Sequence, residues 1–148
     1  MIKAFIKHRK KIKLRNNKIA QLLNDLADIT VGTIKSDTKK GKDIEGNPFK
    51  RLKKSTINAK RKKGSKTPTK PLMDTGLMRK VFRSKTASAS DLESRVDVAK
   101  KRSEIAVFHN DGGSRIPQRE WFGIGDKSKK RMNKMIKAKI KQIVRLVK

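Results

Sequence analysis

Pro71–Lys80 reads PLMDTGLMRK, and the meaning of its Asp74-Thr75-Gly76 triplet decides how the rest of the chain is understood. A carboxylate, a hydroxyl and a glycine behind apolar Leu72 and Met73 suit either of two jobs. The triplet can present a catalytic aspartate. It can also be a plain turn, with the side-chain oxygen of Asp74 or Thr75 accepting backbone N–H bonds as the chain passes into a strand.

A catalytic turn of the aspartic-protease kind needs two carboxylates sharing one proton. A chain of 148 residues could supply them only as a symmetric dimer giving one Asp each. Such turns continue with Ala or Ser after the glycine and are backed by a later apolar-apolar-Gly segment. Here Leu77, Met78 and Arg79 follow, and Gly123 and Gly125 lie in WFGIGD, ahead of a basic helix. The structural turn is the better reading. His8 and His109 are the only histidines and have no partners at metal-ligand spacing. GSKTPTKP lacks the preceding strand and the glycine spacing of a phosphate loop. No catalytic, cofactor-binding or metal-binding residue is therefore assigned, and no enzyme is expected.

Outward from the turn, Val81 to Thr86 and Leu92 to Val98 carry strand signals, with turn-rich ASASD between them, so an antiparallel hairpin is expected. Leu92, Ser94, Val96 and Val98 fall on one face, and Glu93, Arg95 and Asp97 on the other. Ser103 is placed to cap a short helix holding Ile105 to Phe108, which ends in the loop HNDGGSRIP. Asp126 is a good N-cap for a last helix with the stripe Met132, Ile136, Ile140, Ile143 and Val147. Upstream, Ile19, Leu22, Leu23, Leu26, Ile29 and Ile34 predict a helix from about 16 to about 39. The spacing of IKAFIKHRKKIKL fits a strand or an early helical turn. KKGKDIEGNPFKRL reads as a loop, and residues 56–60 as a short helix capped by Ser55 or Thr56. The basic stretch RKKGSKTPTKP after it shows no means of packing. Residues 1–148 thus make a single α+β domain, a small antiparallel sheet packed with two long helices. Its basic loops, about 40–50 and 61–71, are expected to be mobile or held by a partner.

Composition bounds the partners. Forty-two Lys and Arg against 13 Asp and Glu give a formal charge of +29, costly to a compact state through self-repulsion. Nucleic acid is the commonest neutralising partner, with an acidic protein surface or anionic lipid as alternatives. Three runs stand out, in which Arg9, Lys10, Lys11, Arg61, Lys62, Lys63, Lys129, Lys130 and Arg131 are the candidates for contact with a polyanion. With five Phe, one Trp and no Tyr, the chain is poorly equipped to stack single-stranded bases. What remains is sequence-independent attraction to phosphate, which falls steeply with salt. The basic last helix lacks Trp or Phe anchors on its apolar face, and no membrane partner is expected. The absence of cysteine leaves no disulfide framework or thiolate metal site and fits a reducing cytosol. The start is broken by charge every few residues, unlike a secretory signal.

The order NPFKRLKKSTINAK, PLMDTGLMRKVF, SEIAVFHNDGG, IPQREWFGIG resembles the bacteriophage virion morphogenesis family, the small neck or tail-completion proteins of Mu-like and lambdoid tailed phages. Phe49, Leu52, Thr56 and Lys60 match its first element, and Leu72, Asp74, Thr75 and Gly76 its turn. His109 and Gly112 match the third, and Ile116, Pro117, Arg119 and Phe122 the last, so the resemblance covers residues 47–125. It implies an α+β protein without catalysis that assembles as a homo-oligomeric ring, expected to be hexameric, at the head-tail junction. It further implies portal or adaptor and tail proteins as neighbours, non-specific contact with phage DNA, and a place in the virion after assembly in the host cytoplasm. On this reading Leu72, Asp74, Thr75 and Gly76 form a structural turn. Phe49, Leu52, Thr56, His109, Gly112, Pro117, Arg119, Trp121 and Phe122 are core or interface candidates, with Arg119 expected to pair with a carboxylate or carbonyl inside the subunit or across a ring interface. The rival reading, from charge alone, is a cytoplasmic, sequence-independent nucleic-acid-binding protein of ribosomal or chromatin type.

Overall fold

Helical spacing carries through the basic start of the chain, so the segment that suited either a strand or a helical turn belongs to one helix, α1 (Ile2–Lys40). The computed structural model describes residues 2–74, 78, 80–100 and 103–145, and among them the side chains from 16 to 142. The elements that follow are α2 (Lys54–Lys62), β1 (Val81–Lys85), β2 (Arg95–Val98), α3 (Ser103–Asp111) and α4 (Asp126–Arg145). The architecture is α+β, a small antiparallel sheet with long helices at either end of the chain.

The hairpin pairs Val81 with Val98, Phe82 with Asp97 and Arg83 with Val96. Pairing then slips so that Lys85 meets Arg95, a bulge that bends β1 at Ser84. Both strands are shorter than their sequence signal, and the reason is visible in the connection. Ser88 and Asp91 exchange backbone bonds in a turn, and the chain from 86 to 94 is held by side chains of α1 rather than by its own ladder. Leu92, expected on the inner face with Val96 and Val98, is instead exposed.

Asn24 supplies the chief of those bonds. Its Oδ1 accepts the Ala87 N–H at 2.8 Å and its Nδ2 donates to the Ala87 carbonyl at 3.0 Å, so one amide side chain satisfies one residue's donor and acceptor. Asn16 donates to the Ala89 carbonyl, and Arg83 of β1 returns to Asp28 and to the Asn24 carbonyl of α1. These bonds set the height of the hairpin on the helix. Ile34, Phe49, Met78, Val81, Ala106 and Trp121 then close the core, with Val31, Leu72, Val96, Val98 and Phe122 packed on it. Ala20, Leu22, Ala27, Ile34 and Thr38 are the buried residues of α1 among those described, while Ile19 and Ile29 of the expected stripe stay partly open to solvent.

The three expected caps are corrected. The residue before α2 is Lys53, with no side-chain cap bond, so neither Ser55 nor Thr56 caps it. Ser103 lies inside α3 and its hydroxyl donates back to the Lys100 carbonyl instead of accepting an amide. At α4 the first intrahelical bond runs from the Lys129 N–H to the Gly125 carbonyl. The N-terminal donor, the Asp126 N–H, goes to the Glu45 carboxylate from the distant 41–52 loop, at 3.0 Å, while the Asp126 side chain pairs with Lys129. A carboxylate there also complements the helix dipole. Gly125 is obligatory in this arrangement, since a Cβ would lie 1.9 Å from the Ile44 carbonyl oxygen.

Asn24→Ala strands both backbone groups of Ala87 in a part-buried place, and is expected to lower the unfolding free energy by ~2 kcal/mol. Gln21→Ala, exposed on the same helix, is the control, and urea denaturation of the two variants checks the difference; equal midpoints would remove Asn24 as the fastener.

Candidate functional site

The residues singled out in the sequence converge on the ends of α2 and α3 and on the segment that leads into α4. Leu52, Thr56, Leu72, Asp74 and His109 share the lining of a cavity of about 290 Å3 with Lys60, Met78 and Ile105. Thr75 and Gly76, and with them Leu77, lie outside the described residues, so of the turn only Leu72 and Asp74 are placed. Leu72 takes a φ of 56°, the only left-handed non-glycine among the described residues. It is half-buried and packed on the core.

Lys60 explains how a loop of Gly, Pro and Lys acquires a shape, and so corrects the expectation that RKKGSKTPTKP lacks any means of packing. Its ammonium donates to the carbonyls of Thr67 at 3.0 Å, Lys70 at 2.9 Å and Met73 at 3.0 Å, using each of its three N–H bonds. The Thr67 hydroxyl donates to the same Met73 carbonyl. Residues 60–73 are thereby wrapped round a cation. Burial pulls the Lys60 ammonium below its ordinary value, against the opposing field of Asp74. Asp74 itself is exposed.

The third and fourth motif elements interlock. Asn110 Oδ1 accepts the N–H groups of both Trp121 and Phe122, at 3.2 and 3.1 Å, and the His109 carbonyl accepts the Arg119 N–H at 2.8 Å. Trp121, 2% exposed, donates from Nε1 to the Ala106 carbonyl. Gly112 makes the reversal between α3 and this segment, with a φ of 76° and a Cβ position only 2.7 Å from the Gln118 nitrogen, so only glycine fits. Arg119 is buried, and its Nε and Nη2 both donate to the Lys50 carbonyl, at 3.2 and 3.1 Å. A weaker contact runs from Nη1 to the Pro117 carbonyl. The partner of Arg119 is thus a carbonyl inside the subunit. Burial lowers the guanidinium from its ordinary value.

No protein-family model, curated protein or solved structure matches this chain.

The expected polyanion contacts are spread apart. Arg61, Lys62 and Lys63 are exposed at the C-terminal end of α2, where they complement the helix dipole. Lys129, Lys130 and Arg131 are exposed on the first turns of α4. Arg9, Lys10 and Lys11 fall in α1, with side chains outside the described residues. Among the described residues no His, Cys, Asp and Glu cluster could hold a metal, and no helix is long and apolar enough to cross a membrane. Sequence reading missed Asn24 and Asn110, and placed Lys60 in the first motif element without its task of holding three carbonyls. Asn110, inside HNDGG, carried some signal as a turn residue.

His109 sits half-buried beside Arg119, and its Nδ1 is buried without a hydrogen-bond partner. Desolvation first, and the Arg119 cation second, hold the imidazole below its ordinary value. The unfolded chain takes up a proton at this position as pH falls through about 6.5, while the folded chain resists it, so stability present above that pH is lost on acidification. The urea midpoint is expected to fall between about pH 7.5 and pH 5, and His109→Gln to flatten the fall. The same slope in both proteins would contradict the assignment.

Proposed function

We propose that the chain is a structural subunit of the neck or tail terminus of a tailed-phage virion, acting through assembly into a ring of identical copies and through contact with portal or adaptor and tail proteins. The observation that carries this reading is the use to which its motif residues are put. Arg119, Trp121, Gly112 and His109 form one interlocked brace, with the guanidinium bonded to a carbonyl and the indole N–H to another. Polar groups committed in this way hold a shape, and shape is what a ring subunit contributes. The order of the four motifs supports the same reading.

The outer surface supports it as well. Phe82, Val107 and Phe108 are 46%, 56% and 61% exposed, an apolar face around the sheet and α3 that suits coverage by another protein. A ring of copies at +29 each repels itself unless an anion lies close, in the lumen as DNA or alongside as an acidic protein. The nucleic-acid-binding reading draws on residues 46–73, which hold ten Lys and Arg and no Asp or Glu.

Light scattering coupled to gel filtration, with electron microscopy of the peak, separates the two. Rings that form more readily when an acidic polypeptide or a polyanion is present are the expected result. A chain that stays monomeric throughout, binds random duplex with a steep salt slope, and loads in proportion to duplex length would replace the virion reading with the other.

A further inference from the structure

An open groove of about 500 Å3 lies between the outer face of the hairpin and α3, lined by Phe82, Val98, Val107 and Phe122 and by the carboxylates of Asp97 and Asp111. Its polarity is out of step with the chain. Cations outnumber acids 42 to 13 overall, yet among the described residues two acids and one cation, Lys100, line this groove. Among the described residues neither Asp97 nor Asp111 makes a salt bridge. Asp97 accepts the Ser84 hydroxyl and Asp111 the Asn110 amide. A groove that is apolar at its floor and acidic at its margin fits a basic amphipathic helix.

Such a helix is present in the same chain. Met132 of α4 is buried and Ile136 half-buried against α1, but Ile140, the next residue of the stripe, is 49% exposed. Lys137 and Lys141 follow the stripe on one side and Lys139 on the other, all exposed. After Asp126 the helix holds no acid. The first half of α4 is thus occupied by its own subunit, and the second half presents an apolar ridge edged with lysine.

We propose that the groove receives the second half of α4 from a neighbouring copy, Ile140 entering between Phe82 and Val107 while the flanking lysines meet Asp97 and Asp111. Groove and helix are different surfaces, so the contact is head-to-tail. Each copy gives a helix to one neighbour and takes one from the other, the kind of contact that closes into a ring. This inference rests on the ring reading above and specifies its interface.

The chain has no cysteine, which makes the test clean. Val107→Cys and Ile140→Cys proteins, mixed in equal amounts and treated with a short bis-maleimide, are expected to yield a cross-linked dimer of one of each. Either protein alone should stay uncross-linked. Separately, Val107→Asp and Ile140→Asp, both changes at exposed positions whose folding is checked by circular dichroism, should each weaken self-association by about tenfold or more through an unpaired buried charge. Equal cross-linking in the Val107→Cys protein alone would mean that two grooves face each other, and would overturn the head-to-tail contact. Assembly of both Asp variants at wild-type strength would place the interface elsewhere and leave the ring reading standing. A wild-type chain that never self-associates would sink both.

Discussion

Arg119 is 4% exposed, with Nε and Nη2 turned to the one carbonyl oxygen of Lys50. Burying a cation is costly unless its donors are met, and here they are met by backbone, the acceptor least able to wander. The bond ties the 41–52 loop to the segment before α4. Two neighbouring links run between the same parts: the Ile44 N–H donates to the Glu120 carbonyl, and the Glu45 carboxylate takes the first N–H of α4. On its other side the Arg119 segment is held to α3 through His109, Asn110 and Ala106. One short stretch, residues 118 to 122, therefore fixes the loop after α1, the end of α3 and the start of α4 at once. The core around Trp121 is framed by it.

What could be read in the sequence follows the physics of each element. Apolar periodicity announced α4, most of α1 and the hairpin, because burial of a face leaves a repeat in the residues. Arg119 was marked for a different reason, its place in the last of the four ordered motifs, IPQREWFGIG. The parts that could not be read are those where a polar side chain satisfies a distant backbone. Asn24 meets Ala87 across 63 residues, and Glu45 caps α4 across 81. Neither bond leaves a local pattern, and the expected caps Ser55, Thr56, Ser103 and Asp126 were residues of the right type whose side-chain oxygens accept no helix-start amide. Lys60 was marked by its motif position but its role was not, since a lysine that organises a loop and a lysine in water look alike in a basic run. The first turns of α1 were ambiguous because charge interrupts their apolar repeat.

The division of labour across the molecule accounts for its odd composition. Polar bonds that brace the interior involve few charges, and the excess of lysine and arginine lies on helices and loops at the surface. Among the described residues Lys60, Arg83 and Arg119 depart from this, cations turned onto backbone carbonyls. A chain built this way holds its shape from within, while much of its charge and its Phe82, Val107 and Ile140 lie exposed on the surface.

The 118–122 brace is expected to hold until the whole domain unfolds, and native-state hydrogen exchange is the measurement that shows whether it does. The amides of Arg119, Trp121, Phe122 and Ile44, bonded to His109, Asn110 and Glu120, should exchange only through global unfolding, as slowly as the Val81–Val98 pairs of the hairpin. Exchange of these amides at the rate of the exposed 113–116 loop, while the hairpin stays protected, would show that the brace opens alone and contradict the account.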